Sequence, residues 1–303
     1  MKGRKYLLYD VFTQDPLTGN PLAIVLETWG LDTAAMQRIA REFNLSETAF
    51  VGAPADTKHK ARVRIFTPDY EMPFAGHPTV GTAIALSELA GGEGADEIFV
   101  LEENIGLVRC AISRNASGPF AEFDLVELPQ QLKLTVEPEV VGAVLGLDAD
   151  EIGFENHRVG LWSAGVPYLT VPVANLGVAA RARLDSAAWQ EFAPTGTGGS
   201  AANVYVYTRD THDRDNAFHA RMFVAGNPSY EDPATGSAAA AFSGAIMHFD
   251  QLPEGPTRLW IEQGTEMGRP SRIRLEIDVK GGRMISARIG GHAVKVGEGR
   301  LFA

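Results

Sequence analysis

The sequence predicts an α+β fold in two similar halves, and three observations carry that reading. Short strand-like segments recur along the whole chain, while a single long apolar helix is expected in the centre of each half. The chain also nearly repeats itself. Arg64-Ile65-Phe66 leads to His77-Pro78-Thr79-Val80-Gly81-Thr82-Ala83, and Arg221-Met222-Phe223 leads to Asp232-Pro233-Ala234-Thr235-Gly236-Ser237-Ala238. Finally, 303 residues, 45% hydrophobic and 21% charged, suffice for two domains with their own cores.

Residues 6–12 read as an opening strand, and the cluster Pro16 to Pro21 as a turn into a second strand, Leu22 to Glu27. From Asp32 or Thr33 a helix is expected to run to Phe43, with Met36, Ile39, Ala40 and Phe43 on one face. Asn44 suits a left-handed stop. Residues 61–67 form the strand into the first repeat copy, and a helix over 78–90 ends at Gly91-Gly92. Strands follow at 97–102, 106–113 and 120–127, and Leu128-Pro129-Gln130-Gln131 reads as a domain junction. The second half restarts with a new strand and then a helix near Pro138 to Leu145, followed by strands near 157–162, 166–173 and 202–208, the second repeat copy and a helix over 233–249. Gly264 and Gly268 to Ser271 mark turns, and the tail reads as a strand meander.

The repeat has a chemical meaning. A proline after the loop is pre-set for the first turn of a helix, where its missing N–H costs nothing. Each copy therefore reads as the N-terminus of a buried helix, with Pro78 and Pro233 as first helical residues and His77 and Asp232 at the mouth. Unpaired N–H groups and a partial positive charge there suit a carboxylate or phosphate. Two ordinary N-caps are the competing reading, with Asp232 a good cap and His77 a poor one. The repetition of titratable residues favours a ligand site.

Glu47 follows the Asn44 stop and is flanked by Leu45, Ala49 and Phe50. An apolar neighbourhood would raise its pKa and suit proton transfer near neutral pH; a solvated loop glutamate is the alternative. Asn20, between Gly19 and Pro21, reads as part of a tight turn. His212, Asp213, Asp215 and His219 have no standard metal spacing and read as a solvated loop. Thr195 to Ser200 is glycine-rich but fits neither a dinucleotide nor a phosphate loop, and His157, His248 and His292 read as structural. There is no G-x-S-x-G or H-E-x-x-H pattern.

A formal net charge of −11 without a Lys/Arg cluster argues against nucleic acid and anionic membrane surfaces as partners. The single cysteine, Cys110, allows no internal disulfide or cysteine-rich metal site and fits a reducing compartment. The N-terminal MKGRKYLLYDVF reads as a strand rather than a signal peptide, and no apolar run approaches the roughly 20 residues of a membrane span. A cytoplasmic location is expected.

Five stretches carry a resemblance: Pro16 to Pro21, Met36 to Val51, Arg64 to Ala83, Glu231 to Ala239 and Ile261 to Ser271. They fall in order over nearly the whole chain, which resembles the PhzF family of phenazine-biosynthesis isomerases. The resemblance implies a diaminopimelate epimerase-like fold of two pseudo-symmetric domains, each a curved antiparallel sheet around a central helix, with the site in the cleft between them. It implies domains over 1–128 and 129–284, with the last strand, about 285–303, returning to the first. A homodimer acting on a small carboxylate substrate, with no cofactor and no metal, is implied as well.

By the same resemblance Glu47 is the acid/base that moves a proton between carbons, and His77 and Asp232 assist it or hold the substrate. Asn20, Ser46, Gly76, Gly236 and Ser237 are the implied substrate-binding residues. The phenazine enzyme of the family isomerises trans-2,3-dihydro-3-hydroxyanthranilate. This chain departs from the family in the Asp69-Tyr70 and Asn227-Pro228-Ser229-Tyr230 loops, which puts its substrate in doubt. Two other readings stand beside this one. An amino-acid racemase or epimerase is open in a Glu47/Asp232 or His77/Asp232 form, but a two-thiol form is excluded by the lone Cys110. A non-catalytic carboxylate-binding homologue is the other, and a base among apolar residues argues against it.

Overall fold

The computed structural model describes residues 3–91, 96–196, 199, 201–226 and 229–303. The expected stop at Gly92, residues 197, 198 and 200 of the glycine-rich run and Asn227-Pro228 lie outside the described residues. The chain divides into two compact units, Met1–Val126 with Ile289–Ala303, and Glu127–Arg288.

The first unit contains β1 (Arg4–Val11), β2 (Asn20–Val25), α1 (Thr33–Phe43), β3 (Glu47–Gly52), β4 (Ala61–Phe66) and β5 (Glu71–Met72), followed by α2 (Gly76–Leu89), β6 (Glu97–Glu103), β7 (Gly106–Asn115) and β8 (Gly118–Asp124). The second contains β9 (Gln130–Leu132), α3 (Pro138–Leu145), β10 (Gly160–Ser163), β11 (Pro167–Pro172), α4 (Leu176–Arg181), α5 (Ser186–Phe192) and β12 (Asn203–Thr208). It continues through β13 (Phe218–Val224), β14 (Tyr230–Asp232), α6 (Gly236–Phe249), β15 (Gly255–Gln263) and β16 (Ser271–Lys280), and β17 (Arg283–Leu301) carries the chain back to the first unit.

In the first unit β1 pairs with β2 and β17, and β17 also pairs with β8. Continuing through β3, β4, β6 and β7, the strands close into a ring around α2. Antiparallel pairing dominates, but β2–β3 and β4–β6 are parallel, and so are β11–β12 and β13–β15 in the second unit. The strand pairing is mixed in both units because α1 and α2, or α4 and α6, lie on the connections between those parallel strands.

Sequence accounts for the layers. On β12, Val204 and Val206 face the cluster of Val141, Leu145, Val178 and Trp189 from α3, α4 and α5. Tyr205 and Tyr207 alternate with them and meet Phe242 of α6. A strand covered on both faces has no polar side, which is why Val204 to Tyr207 follow one another without a charged or amide residue. The sequence did not reveal α4 and α5, although Asn175 and Asp185 cap them by accepting from Val178 N and Ala188 N. Asn44 does end α1 in the left-handed region, φ 51°, with its N–H to the Ala40 carbonyl.

The repeat survives in three dimensions, but in a different register from the one the prolines suggest. Helix α2 starts at Gly76 and α6 at Gly236. Pro78 is the third residue of its helix, whereas Pro233 precedes the N-cap Thr235. Proline is tolerated throughout a first turn, so it marks a region rather than one position. The register is set instead by a paired charge. Arg64 Nε and Nη2 donate to Glu71 at 2.7 and 2.6 Å, and Arg221 Nε and Nη2 donate to Glu231 at 2.9 and 2.8 Å. The counterpart of Tyr70-Glu71 is therefore Tyr230-Glu231, that of His77 is Ser237, and Asp232 corresponds to Met72.

Both central helices are buried on nearly every side, so small residues are needed where strands cross them. A Cβ on Gly81 would stand 2.6 Å from Leu22 Cδ2 and 2.7 Å from Val11 Cγ2. Gly81→Val is expected to cost about 1–3 kcal/mol through overpacking, read as a lower urea midpoint with unchanged slope.

His219 corrects another expectation. It is fully buried rather than solvated, with Nδ1 3.0 Å from Glu262 Oε1 and Nε2 2.9 Å from Glu266 Oε1. Burial pulls its pKa down, but the two carboxylates outweigh this and raise it to about 9. Burial pushes Glu262 up, but hydrogen bonds from His219, Asn216 and the backbone hold it down at about 2. The stabilisation from His219 is complete below its ordinary value, roughly 6.5, and is lost as pH rises through about 9. The Glu262 contribution is complete above roughly 4.5 and lost as pH falls towards 2. The urea midpoint is expected to fall between pH 7 and 10 in the parent protein, and His219→Gln to flatten that slope.

Candidate active site

In the first unit, the left-handed turn at Asn44 reverses the chain so that β3 begins at Glu47 and runs parallel to β2, with Glu47 opposite Leu22. Ser46 precedes it in the turn, and Asn20, fully buried, opens β2. Gly76 and His77 are the first two residues of α2, and they enter from β5, which the Arg64–Glu71 pair fixes. The result is that His77 Nδ1 lies 3.3 Å from Glu47 Oε2.

Burial governs the chemistry of this contact. His77 is 3% exposed, and desolvation lowers its pKa to about 3 against a hydrogen bond to the Pro21 carbonyl. At neutral pH the contact with Glu47 is therefore not an ion pair but one between a carboxyl group and a neutral imidazole. Nε2 has no hydrogen-bond partner among the described residues, so the single N–H is assigned to Nδ1, the nitrogen beside Glu47. A buried nitrogen lone pair without a donor is costly and is satisfied when a ligand supplies one. Tyr70 has its hydroxyl pKa raised by partial desolvation and by the charges of Glu47 and Asp69, which places it near Glu47.

The helix tip adds backbone donors. Ala75 caps α2 without a side-chain hydrogen bond, so the first N–H groups of the helix have no cap side chain to take them. Such a tip favours an anionic group.

In the second unit α6 starts at Gly236 after the N-cap Thr235, whose hydroxyl donates to Asp232 Oδ2 rather than capping the helix. Asp232 is 5% exposed, and Gln263 Nε2 donates to its carbonyl at 2.7 Å. Ser237, the second residue of α6, has its Oγ 2.7 Å from the hydroxyl of buried Tyr168. Tyr168 and Gln263 are polar groups at this tip that the sequence reading did not single out. Gln263 lies within the Ile261 to Ser271 stretch, but Tyr168 is one aromatic in an apolar strand and carries no signal of its own.

The two units thus differ at matched positions. Strand β12 begins with Asn203 where β3 begins with Glu47, and Asn203 Oδ1 accepts from Ala225 N at 3.0 Å. Cys110 is buried on β7 with its thiol pKa pushed well up. Of the weaker candidates, His212, His219 and Glu262 bring ligand-type atoms within 4.8 Å of one another, but both ring nitrogens of His219 are taken up by carboxylates.

A family model described as phenazine biosynthesis-like protein, PhzC-PhzF, matches residues 9–299. The chain belongs to the PhzF family. A Mesorhizobium japonicum relative of this PhzF protein, named only as an uncharacterized isomerase, is 67% identical over 100% of both chains. The trans-2,3-dihydro-3-hydroxyanthranilate isomerase of Pseudomonas aeruginosa is 32% identical over 98% of this chain and 99% of its own. A solved PhzF-family phenazine biosynthesis protein from Bacillus anthracis matches with a TM-score of 0.88 at 29% identity over 100% of both chains. A hydroxyproline epimerase from Agrobacterium vitis, 14% identical with a TM-score of 0.63 over 98% of this chain and 92% of its own, shares the fold. This PhzF-family member is accordingly an enzyme of the isomerase and epimerase group with an epimerase-like α+β fold. Among the described residues no helix is long and apolar enough to cross a membrane.

The buried state of His77 is directly testable. Its ring resonances are expected to keep the neutral form from pH 8 down to about pH 4, whereas an exposed histidine would titrate near 6.5. Conversion of the His77 ring to the imidazolium form with a midpoint between 5 and 7 in a two-dimensional nitrogen-proton spectrum would contradict this geometry.

Proposed function

We propose that this protein moves a proton between two carbons of a small carboxylate-bearing substrate, with Glu47 as the general acid/base. The contact between Glu47 and a desolvated, neutral His77 is the observation that carries the reading. An ionised Glu47, with its Oε2 3.3 Å from His77 Nδ1, is ready to take a proton from carbon. Once protonated, it can return that proton to a neighbouring carbon of the same substrate. The unpartnered Nε2 of His77 would accept from a substrate amino or hydroxyl group.

In this reading Asn20, Ser46 and Gly76 shape the binding surface beside Glu47. Asp232, Gly236 and Ser237 hold polar groups of the substrate at the start of α6. No step requires a cofactor. A cytoplasmic homodimer is the proposed form of the enzyme. The name of the Pseudomonas aeruginosa relative makes trans-2,3-dihydro-3-hydroxyanthranilate the first substrate to test.

A two-base epimerase is the rival reading. Asn203 argues against its symmetric form, because an amide at the position matching Glu47 cannot exchange a proton.

Glu47→Gln is expected to lower solvent-deuterium incorporation into substrate by roughly 10²–10⁴-fold while leaving binding nearly intact. Ser237→Ala should cost much less, since a single contact at a helix tip is worth about 0.3–2 kcal/mol. Mass spectrometry of substrate recovered from deuterated buffer reads both, and chiral chromatography of the product separates isomerase from epimerase. Exchange that survives in Glu47→Gln would defeat the assignment.

A further inference from the structure

Glu103 and Gln263 occupy matching places. Each ends the strand that runs parallel to the arginine-bearing strand of its unit, β6 beside β4 and β15 beside β13. Gln263 Nε2 donates to Thr235 Oγ1 at 3.2 Å, and Thr235 passes its own hydroxyl hydrogen to Asp232. Donation therefore runs from the strand end, through a threonine, to the segment that enters the helix.

In the first unit Thr79 Oγ1 lies 2.8 Å from the carbonyl of Ala75, the N-cap of α2, and 2.8 Å from Glu103 Oε1. The hydroxyl has one hydrogen and cannot donate to both. An ionised Glu103 can only accept, so it would take that hydrogen away from Ala75. A neutral Glu103 donates its own O–H to Thr79 and leaves Thr79 to hold Ala75, which is the direction of donation seen at Gln263. Glu103 is 2% exposed, and Oε2 has no hydrogen-bond partner among the described residues. An anion left that way would cost far more than a neutral carbonyl oxygen.

We propose that Glu103 is a positioning residue for the candidate site: as the neutral acid it props Thr79 against the N-cap carbonyl of α2, fixing the tip that carries His77, and its ionisation releases that prop. The ionisable groups facing it are Arg62 on β4 and Cys110 on β7, with Asp56, His59 and Glu102 lining the same cavity of about 450 Å³. Burial raises Glu103 to about 8 against the opposing Thr79 hydrogen bond and Arg62 charge, so the release falls in the mildly alkaline range. The cavity gives the proton a route to water.

The test uses the intact protein without substrate. With ¹³C-labelled glutamate, infrared spectroscopy at pH 7 is expected to show the band of a buried protonated carboxyl, missing in Glu103→Gln and lost from the parent with a midpoint near pH 8. The ring resonances of His77 should shift with that same midpoint in the parent and stay fixed in Glu103→Gln. A parent protein with no protonated band at pH 7, or one whose loss leaves His77 unmoved, overturns the proposal. Should Glu103→Gln fail to fold, the parent titration alone decides. Any effect on turnover rests on the proton-transfer reading above: there the parent should lose exchange activity through that midpoint and Glu103→Gln should keep it. Because the spectroscopic outcomes need no substrate, they stand or fall separately from that reading.

Discussion

A helix buried on all sides must have the polar groups at its end satisfied from within, and that constraint shapes both halves of this protein. Helices α2 and α6 present small residues to the strands around them, and neither receives a side-chain cap. The loops entering them are held by bidentate Arg–Glu pairs that fix where each helix begins. Removing Glu231 would leave the buried Arg221 charge without its partner, typically a loss of about 3–5 kcal/mol. Arg221 adds to its own pair by donating Nη1 to the carbonyls of Ala179 and Ala182 at the end of α4, so the helix tip and the outer helical layer share one residue.

Against that shared frame the two units have diverged where chemistry is expected. The first unit carries Glu47, His77 and Glu103; the second has Asn203, Ser237 and Gln263 in the matching places. Each exchange replaces a titratable group with a neutral hydrogen-bonding one of similar or smaller size. Titratable groups at these matched positions are thereby concentrated in the first unit, and the second has neutral donors and acceptors there. Asp232 is the exception, standing where the first unit has Met72. The dry surroundings that keep His77 neutral also make its contact with Glu47 stronger than the same contact would be in water.

Much of this was legible in the sequence. The period of apolar residues marked α1, and a small-residue run after a strand and a proline marked α2 and α6. The repeat itself pointed to two related halves. Its register was not legible, because a proline signals a first turn without saying which of its positions it fills. The pairing of Arg64 with Glu71 seven residues on, and of Arg221 with Glu231 ten residues on, shows the match only when the strands are seen side by side. The short helices α4 and α5 were missed because each is too short for its apolar period to stand out, leaving only the caps at Asn175 and Asp185.

Glu47 was singled out from local neighbours and a resemblance, and His77 from its place before a proline. What composition and spacing determined alone was the kind of protein: an acidic α+β chain in two related halves, with titratable residues at the start of two buried helices. Which residues meet, and in which protonation state, was decided by tertiary structure. A 3.3 Å contact between residues thirty positions apart, a histidine stripped of water, and a threonine with one hydrogen between two acceptors all depend on strands and helices converging in space. Sequence distance has no bearing on the dielectric and the hydrogen-bond directions that set proton chemistry.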